Sequence, residues 1–510
     1  MSVDIVLMSV PLLELKRPIT GPYILKSQVE SHGFTCKVYD FNVYLWHEIG
    51  NIAPELWDFN SEIFGIEDRL TKYSPVIMPV VKKYVKEILD NYDPTWIGAT
   101  QFAWTSNWIT KWIFNEFKRQ GFTGKTICGG PNCMEWGPHH HMWNFADYTI
   151  YGEGEESLVE LLKGNKDFPG INTKMFKQLQ DLDAYPYPDY SDVEWYKYPK
   201  YHDNLYDSKA WRNPEDKLKE LFITGSRGCV RQCTFCDIHA MAPKFKFRSG
   251  KCIADEVVHH YKTYGIKIYN FTDSLINGSV KAFEDFMHNV IEYKQQGLLP
   301  NDVRFWGQAI ARPKNQHPEE HFRMMKDAGI FALSIGIESG SEAVREHMKK
   351  KFTNADIDWT YEMAHKYNIK IPSLMLVGYP TETEKDFQDT LDLFTRHQDK
   401  AGTTISAVAI GPTMVILPNA PMAKSITSMG IHSDINGDWV LDENNLETRL
   451  DRWIRFRDHL VNLGYKVYPD RHSKVLLEYK QKLKEIREGK RKPNEQSYIE
   501  THGYKNVVKN

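Results

Sequence analysis

Three thiols fall within eight residues at Cys229-Val230-Arg231-Gln232-Cys233-Thr234-Phe235-Cys236, spaced C-x3-C-x2-C. They follow the strand-like run Leu221-Phe222-Ile223 and the turn-forming Thr224-Gly225-Ser226-Arg227-Gly228. Thiolates are the soft ligands of iron–sulfur clusters, and close spacing on one loop lets a single stretch of backbone wrap a cluster. A tetranuclear cluster ordinarily takes four cysteines. This loop offers three, which leaves one iron open to an outside ligand and makes it a reaction site, not only an electron store. Three other readings compete. His239 follows Cys236 by three and Cys252 is not far along, which allows a Cys3His zinc site, although zinc ligands usually come in two separated pairs. A redox C-x2-C is a second reading, fitted poorly by the extra Cys229 and the strand-to-loop setting. Inert buried cysteine is a third, and it needs no such spacing.

C-x3-C-x2-C with an aromatic residue, Phe235, before its last cysteine resembles the signature of the radical S-adenosylmethionine (SAM) enzymes. The resemblance implies that Cys229, Cys233 and Cys236 ligate three irons of a [4Fe-4S] cluster and that SAM chelates the fourth through its amino and carboxylate groups. It also implies an external flavodoxin- or ferredoxin-like electron donor, reductive cleavage of SAM and a 5′-deoxyadenosyl radical.

The elements that must position this loop are legible as alternating strand and helix patterns. From 219 to about 412 there are six strand signals: Leu221–Thr224, Lys267–Phe271, Val303–Gln308, Leu333–Ile337, Ser373–Val377 and Ile405–Ile410. Helix patterns between them include Ala254–Tyr264, Glu319–Ala328, Glu342–Lys349 and Glu384–Arg396. Repeated βα units of this length make a barrel, here a partial (β/α)6 TIM-type barrel open on one side, with its active site at the carboxyl ends of the strands. The cysteine loop follows the first strand and falls on that face.

The other strand ends then become candidates for holding SAM: Asp273, Gln308, Arg312, Glu338, Ser339 and Gly378, together with Phe235 of the cysteine motif. Gly336-Ile337-Glu338-Ser339-Gly340-Ser341 closely resembles a family pattern. Thr272-Asp273-Ser274 departs from the family's G-G-E-like motif. Val377-Gly378-Tyr379-Pro380-Thr381-Glu382-Thr383 is similar to the family's G-x-P-G-E-T with Thr381 in place of Gly. For Glu338 the favoured reading is SAM contact; for Glu382 it is stabilisation of a helix N-terminus.

Residues 1–165 alternate strands and helices in the manner of a parallel sheet covered on both faces: Ile5–Leu7, Thr35–Asp40, Trp96–Thr100, Thr126–Pro131 and Tyr148–Tyr151. In such a sheet ligands sit beyond the carboxyl ends of the strands, so Gly21, Asp40, Thr100, Gly129, Gly130, Gly152 and Glu153 are expected to share one rim. There is no G-x-G-x-x-G fingerprint, and the carboxylates of Gly152-Glu153-Gly154-Glu155-Glu156 would repel a phosphate at that helix start. Gly129-Gly130-Pro131 followed by Tyr151-Gly152-Glu153-Gly154-Glu155-Glu156-Ser157-Leu158 resembles the Rossmann-like cobalamin-binding domain fused to many radical SAM enzymes. The resemblance implies a corrin ring across those seven residues, without the D-x-H-x-x-G histidine that ligates cobalt in other cobalamin proteins. His139-His140-His141 read as solvent-facing loop histidines, because consecutive side chains diverge.

Residues 43–92 read as an aromatic-rich helical insertion, and 166–215 as an extended Tyr/Pro/Asp-rich strap. The segment 413–510 reads as an α-rich region containing Trp439, Asn445 and Arg449, a W-x5-N-x3-R spacing also seen in the cobalamin-fused relatives. Leu476, Tyr479, Leu483 and Ile486 mark an amphipathic helix, followed by a polar tail after Pro493.

At 510 residues with 41% hydrophobic and 26% charged residues, the chain has the composition of a globular protein of several domains. A net charge of −3 gives no basic field for nucleic acid or an anionic membrane. Asp4 and Pro11 make the N-terminal apolar run a buried strand rather than a signal peptide, and no run is long enough to span a membrane. Seven cysteines, three of them bunched, suit a reducing cytoplasm. The resemblance implies methyl transfer from cobalamin to an unactivated carbon of a small molecule, with ring formation or oxidation as alternative outcomes in related enzymes. A non-catalytic iron–sulfur protein is the rival from another class.

Overall fold

The computed structural model describes residues 2–58, 61–133, 145–173, 175–198, 219–417, 419–433, 439–469 and 474–491. His139, His140 and His141, the end of the strap and the polar tail lie outside the described residues. Two compact units account for the rest, one formed by the N-terminal residues with Lys219–Phe222, the other by residues from Ile223 onward.

The first unit is a five-stranded sheet of β1 (Ile5–Ser9), β2 (Cys36–Asp40), β3 (Trp96–Thr100), β4 (Lys125–Gly129) and β5 (Tyr148–Ile150), in the order β2-β1-β3-β4-β5. All four pairings are parallel. Every residue of β1 is buried, as expected of a strand covered on both faces. The longer helices are α1 (Thr20–Glu30), α2 (Phe41–Ile49), α3 (Ser74–Tyr92), α4 (Asn107–Arg119) and α5 (Gly154–Leu162). The aromatic-rich 43–92 stretch packs into the same core as β1, β3 and α4, where Trp57 and Phe64 join Val6, Ile97 and Phe114. The strap is fastened by charge: Asp192 takes Lys26 at 3.0 Å and Lys37 at 2.5 Å.

The other sheet has seven strands: β6 (Glu220–Ile223), of which only Ile223 is counted in the second unit, and, within that unit, β7 (Ile268–Phe271), β8 (Arg304–Ala309), β9 (Ile330–Glu338), β10 (Ser373–Met375), β11 (Val408–Ile410) and β12 (Val467–Tyr468). Its order is β12-β11-β10-β9-β8-β7-β6, an open sheet whose first and last strands do not pair. The pairings from β7 to β12 are parallel. The six expected strands are therefore present, and β12 is a seventh. Helices α6 (Gly250–Tyr264), α7 (Val280–Gln295), α8 (Glu319–Ala328), α9 (Glu342–His347), α10 (Asn354–Lys366) and α11 (Glu384–Arg396) fill the crossovers.

Local chemistry starts most of these helices. Ser249, Ser279 and Ser341 cap α6, α7 and α9 with side-chain oxygens, and Thr353 and Thr383 form capping boxes with Asp356 and Asp386. Along β8 burial alternates: Phe305, Gly307 and Ala309 are buried, Trp306 is half-buried and Gln308 is exposed. On the buried face Phe305 packs edge-on against Phe286 of α7, with ring centroids 5.1 Å apart.

Beyond β11 come α12 (Leu446–Asn462) and α13 (Lys474–Arg487). Leu476, Tyr479, Leu483 and Ile486 are the buried stripe of α13, with the Tyr479 and Trp453 rings 5.0 Å apart. No helix among the described residues is long and apolar enough to cross a membrane.

Candidate functional site: the three-cysteine loop

The cysteines sit on the loop that leaves the carboxyl end of β6, inside a small antiparallel ladder in which Ser226 pairs with Phe247 and Arg227 with Lys246. Thr234, between the second and third cysteines, is fastened from three sides. Its N–H donates to Met348 O at 3.1 Å, its carbonyl accepts Met422 N–H at 2.8 Å, and its hydroxyl lies 2.7 Å from the Tyr379 hydroxyl. These partners belong to the segments that follow β9, β10 and β11. The loop is thus held at the carboxyl end of the sheet by its neighbours.

A cluster fits this loop. Burial pushes the Cys233 thiol up to about 11 and raises Cys229 and Cys236, while the Lys350 ammonium opposes burial in all three. No three His, Cys, Asp or Glu side chains among the described residues stand close enough to hold one metal ion. Three thiols on one loop suit a group that takes one thiolate per iron. His239 is engaged elsewhere, with Nε2 at 2.6 Å from Arg231 O, and Arg248 donates to Cys252 Sγ at 3.2 Å.

The residues expected to hold SAM divide into two groups. Glu338 ends β9 at φ +67, a left-handed conformation uncommon outside glycine, and its Oε1 lies 3.1 Å from Lys350 Nζ. Gln308 is exposed on β8, and the half-buried Phe235 packs against the apolar cluster around Met348, Tyr379 and Trp439. The other four are engaged within the fold. Asp273 accepts from Gly225 N–H at 2.8 Å and the Ser226 hydroxyl at 2.6 Å, fixing the residues that lead into the cysteine loop. Burial pushes its carboxyl up to about 7. Arg312 donates to the carbonyls of Asn277 and Gly278 at 2.7 and 2.9 Å. Ser339 Oγ accepts Ser341 N–H at 3.1 Å. Gly378, at φ +83, leaves room for Arg449, whose Cγ would lie 2.5 Å from a Cβ there.

Arg449 explains the W-x5-N-x3-R spacing. Its guanidinium stacks 4.0 Å over the Trp439 ring and donates to Trp439 O, while Asn445 caps α12 through Thr448 N–H. Glu382 does not act chiefly through a helix end. It accepts Gly378 N–H at 3.1 Å and pairs with Arg452 at 3.4 Å, and burial raises its carboxyl to about 7. Sequence reasoning missed Lys350, Tyr379 and His347. Lys350 lies in the run Lys349-Lys350-Lys351, which reads as solvated charge, yet it is buried between two exposed lysines.

In the first unit, Thr100 and Gly129 are register partners at the ends of β3 and β4. A Cβ on Gly130 (φ +112) would lie 2.8 Å from Gln101 O and 3.1 Å from Thr100 Oγ1, so these residues form one tight corner. Asp40 is buried, capping α2 and accepting the Tyr198 hydroxyl at 2.8 Å; burial raises it to about 6. Gly21 is exposed near the start of α1. Gly152 lies under the Phe176 ring, and Glu153 accepts Leu179 N–H, so the strap covers both.

The corner suits a polar ligand. Ser9 Oγ, Gln101 Oε1 and Ser106 Oγ are buried and make no hydrogen bond among the described residues. Ser9 ends β1, Gln101 follows the adjacent β3, and β1/β3 is the point where strand order reverses in a β2-β1-β3-β4-β5 sheet. Unsatisfied buried acceptors there fit the amide-rich rim of a corrin.

Residues 223–394 match the family model described as the Radical SAM superfamily. An uncharacterized methyltransferase of Pyrococcus horikoshii is 24% identical over 333 residues, 60% of this chain and 65% of that relative, just under two thirds of its length. The solved structure of the methyltransferase TsrM from Kitasatospora setae, with cobalamin and a [4Fe-4S] cluster bound, is 16% identical and superposes with a TM-score of 0.61 over 84% of this chain and 78% of that one. The cobalamin-dependent radical enzyme OxsB with aqua-cobalamin bound gives a TM-score of 0.63 at 15% identity, over 99% of this chain and 76% of that one. At such identities the superpositions establish the fold, while the domain match rests on the segment that holds the cysteine loop. Residues 223–394 are therefore a radical SAM domain, in a chain with the fold of the cobalamin-dependent radical SAM enzymes.

Proposed function

We propose that this protein uses SAM, a [4Fe-4S] cluster and cobalamin to methylate an unactivated carbon of a small molecule. The observation that carries the reading is the three-cysteine loop pinned through Thr234 at the carboxyl end of a parallel sheet, beside the strained Glu338. When bound, the cluster and SAM supply an electron and a carbon-centred radical, and cobalamin supplies the methyl group.

The chain's own tasks are holding, orienting and excluding water. Cys229, Cys233 and Cys236 hold the cluster, and Glu338 orients the ammonium end of SAM. Gln308 and Phe235 border the same site. Asp273, Arg312, Ser339 and Gly378 act from behind by fixing the loops that carry it. Thr100, Gly129 and Gly130, with Ser9, Gln101 and Ser106, receive the corrin edge. An external flavodoxin- or ferredoxin-like protein delivers the electron. A methyltransferase named among the relatives and another among the structural neighbours support methyl transfer over other radical outcomes.

The test is anaerobic reconstitution with iron, sulfide and cobalamin, followed by reduction in the presence of SAM. The expected result is a cobalamin spectrum that co-elutes with the protein, and formation of both 5′-deoxyadenosine and S-adenosylhomocysteine. A cluster-loaded protein that yields no 5′-deoxyadenosine overturns radical chemistry. The same protein yielding 5′-deoxyadenosine without S-adenosylhomocysteine overturns methyl transfer.

A further inference from the structure

Lys350 is a buried cation beside the cysteine loop. It is 8% exposed, whereas Lys349 and Lys351 on either side are exposed. Those two neighbours adopt φ +60 and +57, and Glu338, its partner, φ +67. Three non-glycine residues in the left-handed region persist only where the surroundings impose them.

The surroundings that impose them are specific. Arg345, itself 1% exposed, donates to Ser339 O, Phe352 O and Asn354 Oδ1, clamping the strand end and the lysine turn together. Lys350 N–H donates to Arg345 O at 2.9 Å. Met348 O takes the Thr234 N–H at 3.1 Å, so the turn is bonded directly to the cysteine loop. The ammonium lies 3.1 Å from Glu338 Oε1 and 5.9 Å from the Phe235 ring centroid, next to Cys236 in the chain. Gly336 makes room for this pair: a Cβ there would lie 2.3 Å from Glu338 Oε1 and 3.1 Å from Lys350 Nζ.

We propose that Lys350 is a positioning residue whose fixed, buried positive charge sets the reduction potential of the cluster held by Cys229, Cys233 and Cys236, with Glu338 as its counterweight. The inference rests on the cluster reading above. One-electron reduction adds a negative charge to the cluster, which a nearby cation in a low-dielectric setting favours. Removing the cation alone disfavours the reduced state, and removing only the Glu338 charge favours it.

The test is a redox titration of anaerobically reconstituted full-length protein without SAM, following the reduced cluster by its electron paramagnetic resonance signal. Iron and sulfide content are measured first. At the potential where half of the wild-type cluster is reduced, Lys350→Met is expected to lower the reduced-to-oxidised ratio at least tenfold, equal to about 59 mV for one electron. Lys350→Arg should stay near wild type, and Glu338→Gln should move the ratio the other way. Should Lys350→Met take up no cluster, Glu338→Gln decides alone. Loaded variants with wild-type ratios overturn this inference and leave the cluster reading standing; a wild-type protein that takes up no cluster overturns both.

Discussion

The hydroxyl of Tyr379 lies 2.7 Å from Thr234 Oγ1 and 2.7 Å from His347 Nδ1, so one phenol joins the cysteine loop to the turn after β10 and to the end of α9. Burial pushes this hydroxyl up to about 12, which keeps it a donor at neutral pH. Tyr379→Phe leaves both neighbours short of a partner. The expected loss is about 1–3 kcal/mol in urea unfolding of the apo protein, with slower cluster uptake on reconstitution. Uptake at the wild-type rate would show that the bond does not hold the loop in shape.

The cysteines make a separable prediction. Cys229→Ala, Cys233→Ala and Cys236→Ala should each lose most bound iron and the visible cluster band. Cys252→Ala, whose sulfur is held by Arg248, should keep both. Full iron content in Cys233→Ala would sink the ligand assignment.

Gly378 and Arg449 depend on one another sterically. Gly378→Ala places a methyl within 2.5 Å of Arg449 Cγ at φ +83, and the expected cost is on the order of 2–4 kcal/mol in unfolding free energy. Asn445→Ala removes only the α12 cap and should cost about 1 kcal/mol. Equal costs for the two variants would refute the packing account of the motif.

Stability should depend on pH through Asp273. Its folded carboxyl titrates near 7 because it is buried, above its ordinary value near 3.8. A raised carboxyl binds its proton more tightly in the folded state, so the stabilisation is full below about pH 4 and is lost as pH rises through 7. Unfolding free energies at pH 5, 6, 7 and 8 should therefore decline for this group, and Asp273→Asn should flatten that slope. Glu382 titrates near 7 for the same reason and adds to the decline, so the flattening is partial. An unchanged slope in the variant would remove Asp273 as its source.

The cysteine spacing and the strand–helix alternation were readable because both are local: each strand carries its own apolar run, and most helices in the second unit start on Ser, Thr or Asn. The roles of the strand-end polar residues were not. The hydrogen bonds that Asp273 makes to Gly225 and Ser226, Arg312 to Asn277 and Gly278, and Ser339 to Ser341 appear only in the folded chain. Lys350 was hidden by its own neighbours, since a triple lysine carries no sign of which member turns inward. Trp439 and Arg449 were visible as spacing, while the stack that gives the spacing a purpose needed the fold. β12 is two residues long, too short to leave a periodic trace.

That short strand bears on how the catalytic segment can be handled. The superfamily match stops at residue 394, yet β11 at Val408–Ile410 and β12 at Val467–Tyr468 complete the same sheet. A fragment trimmed to the matched segment would strip β11 and β12, keep only Ile223 of β6, and bare the backbones of β10 and β7, templates for self-association. The matched region is a stretch of sequence rather than an excisable module, and expression trials should extend at least through Arg487, where α13 closes over Trp453.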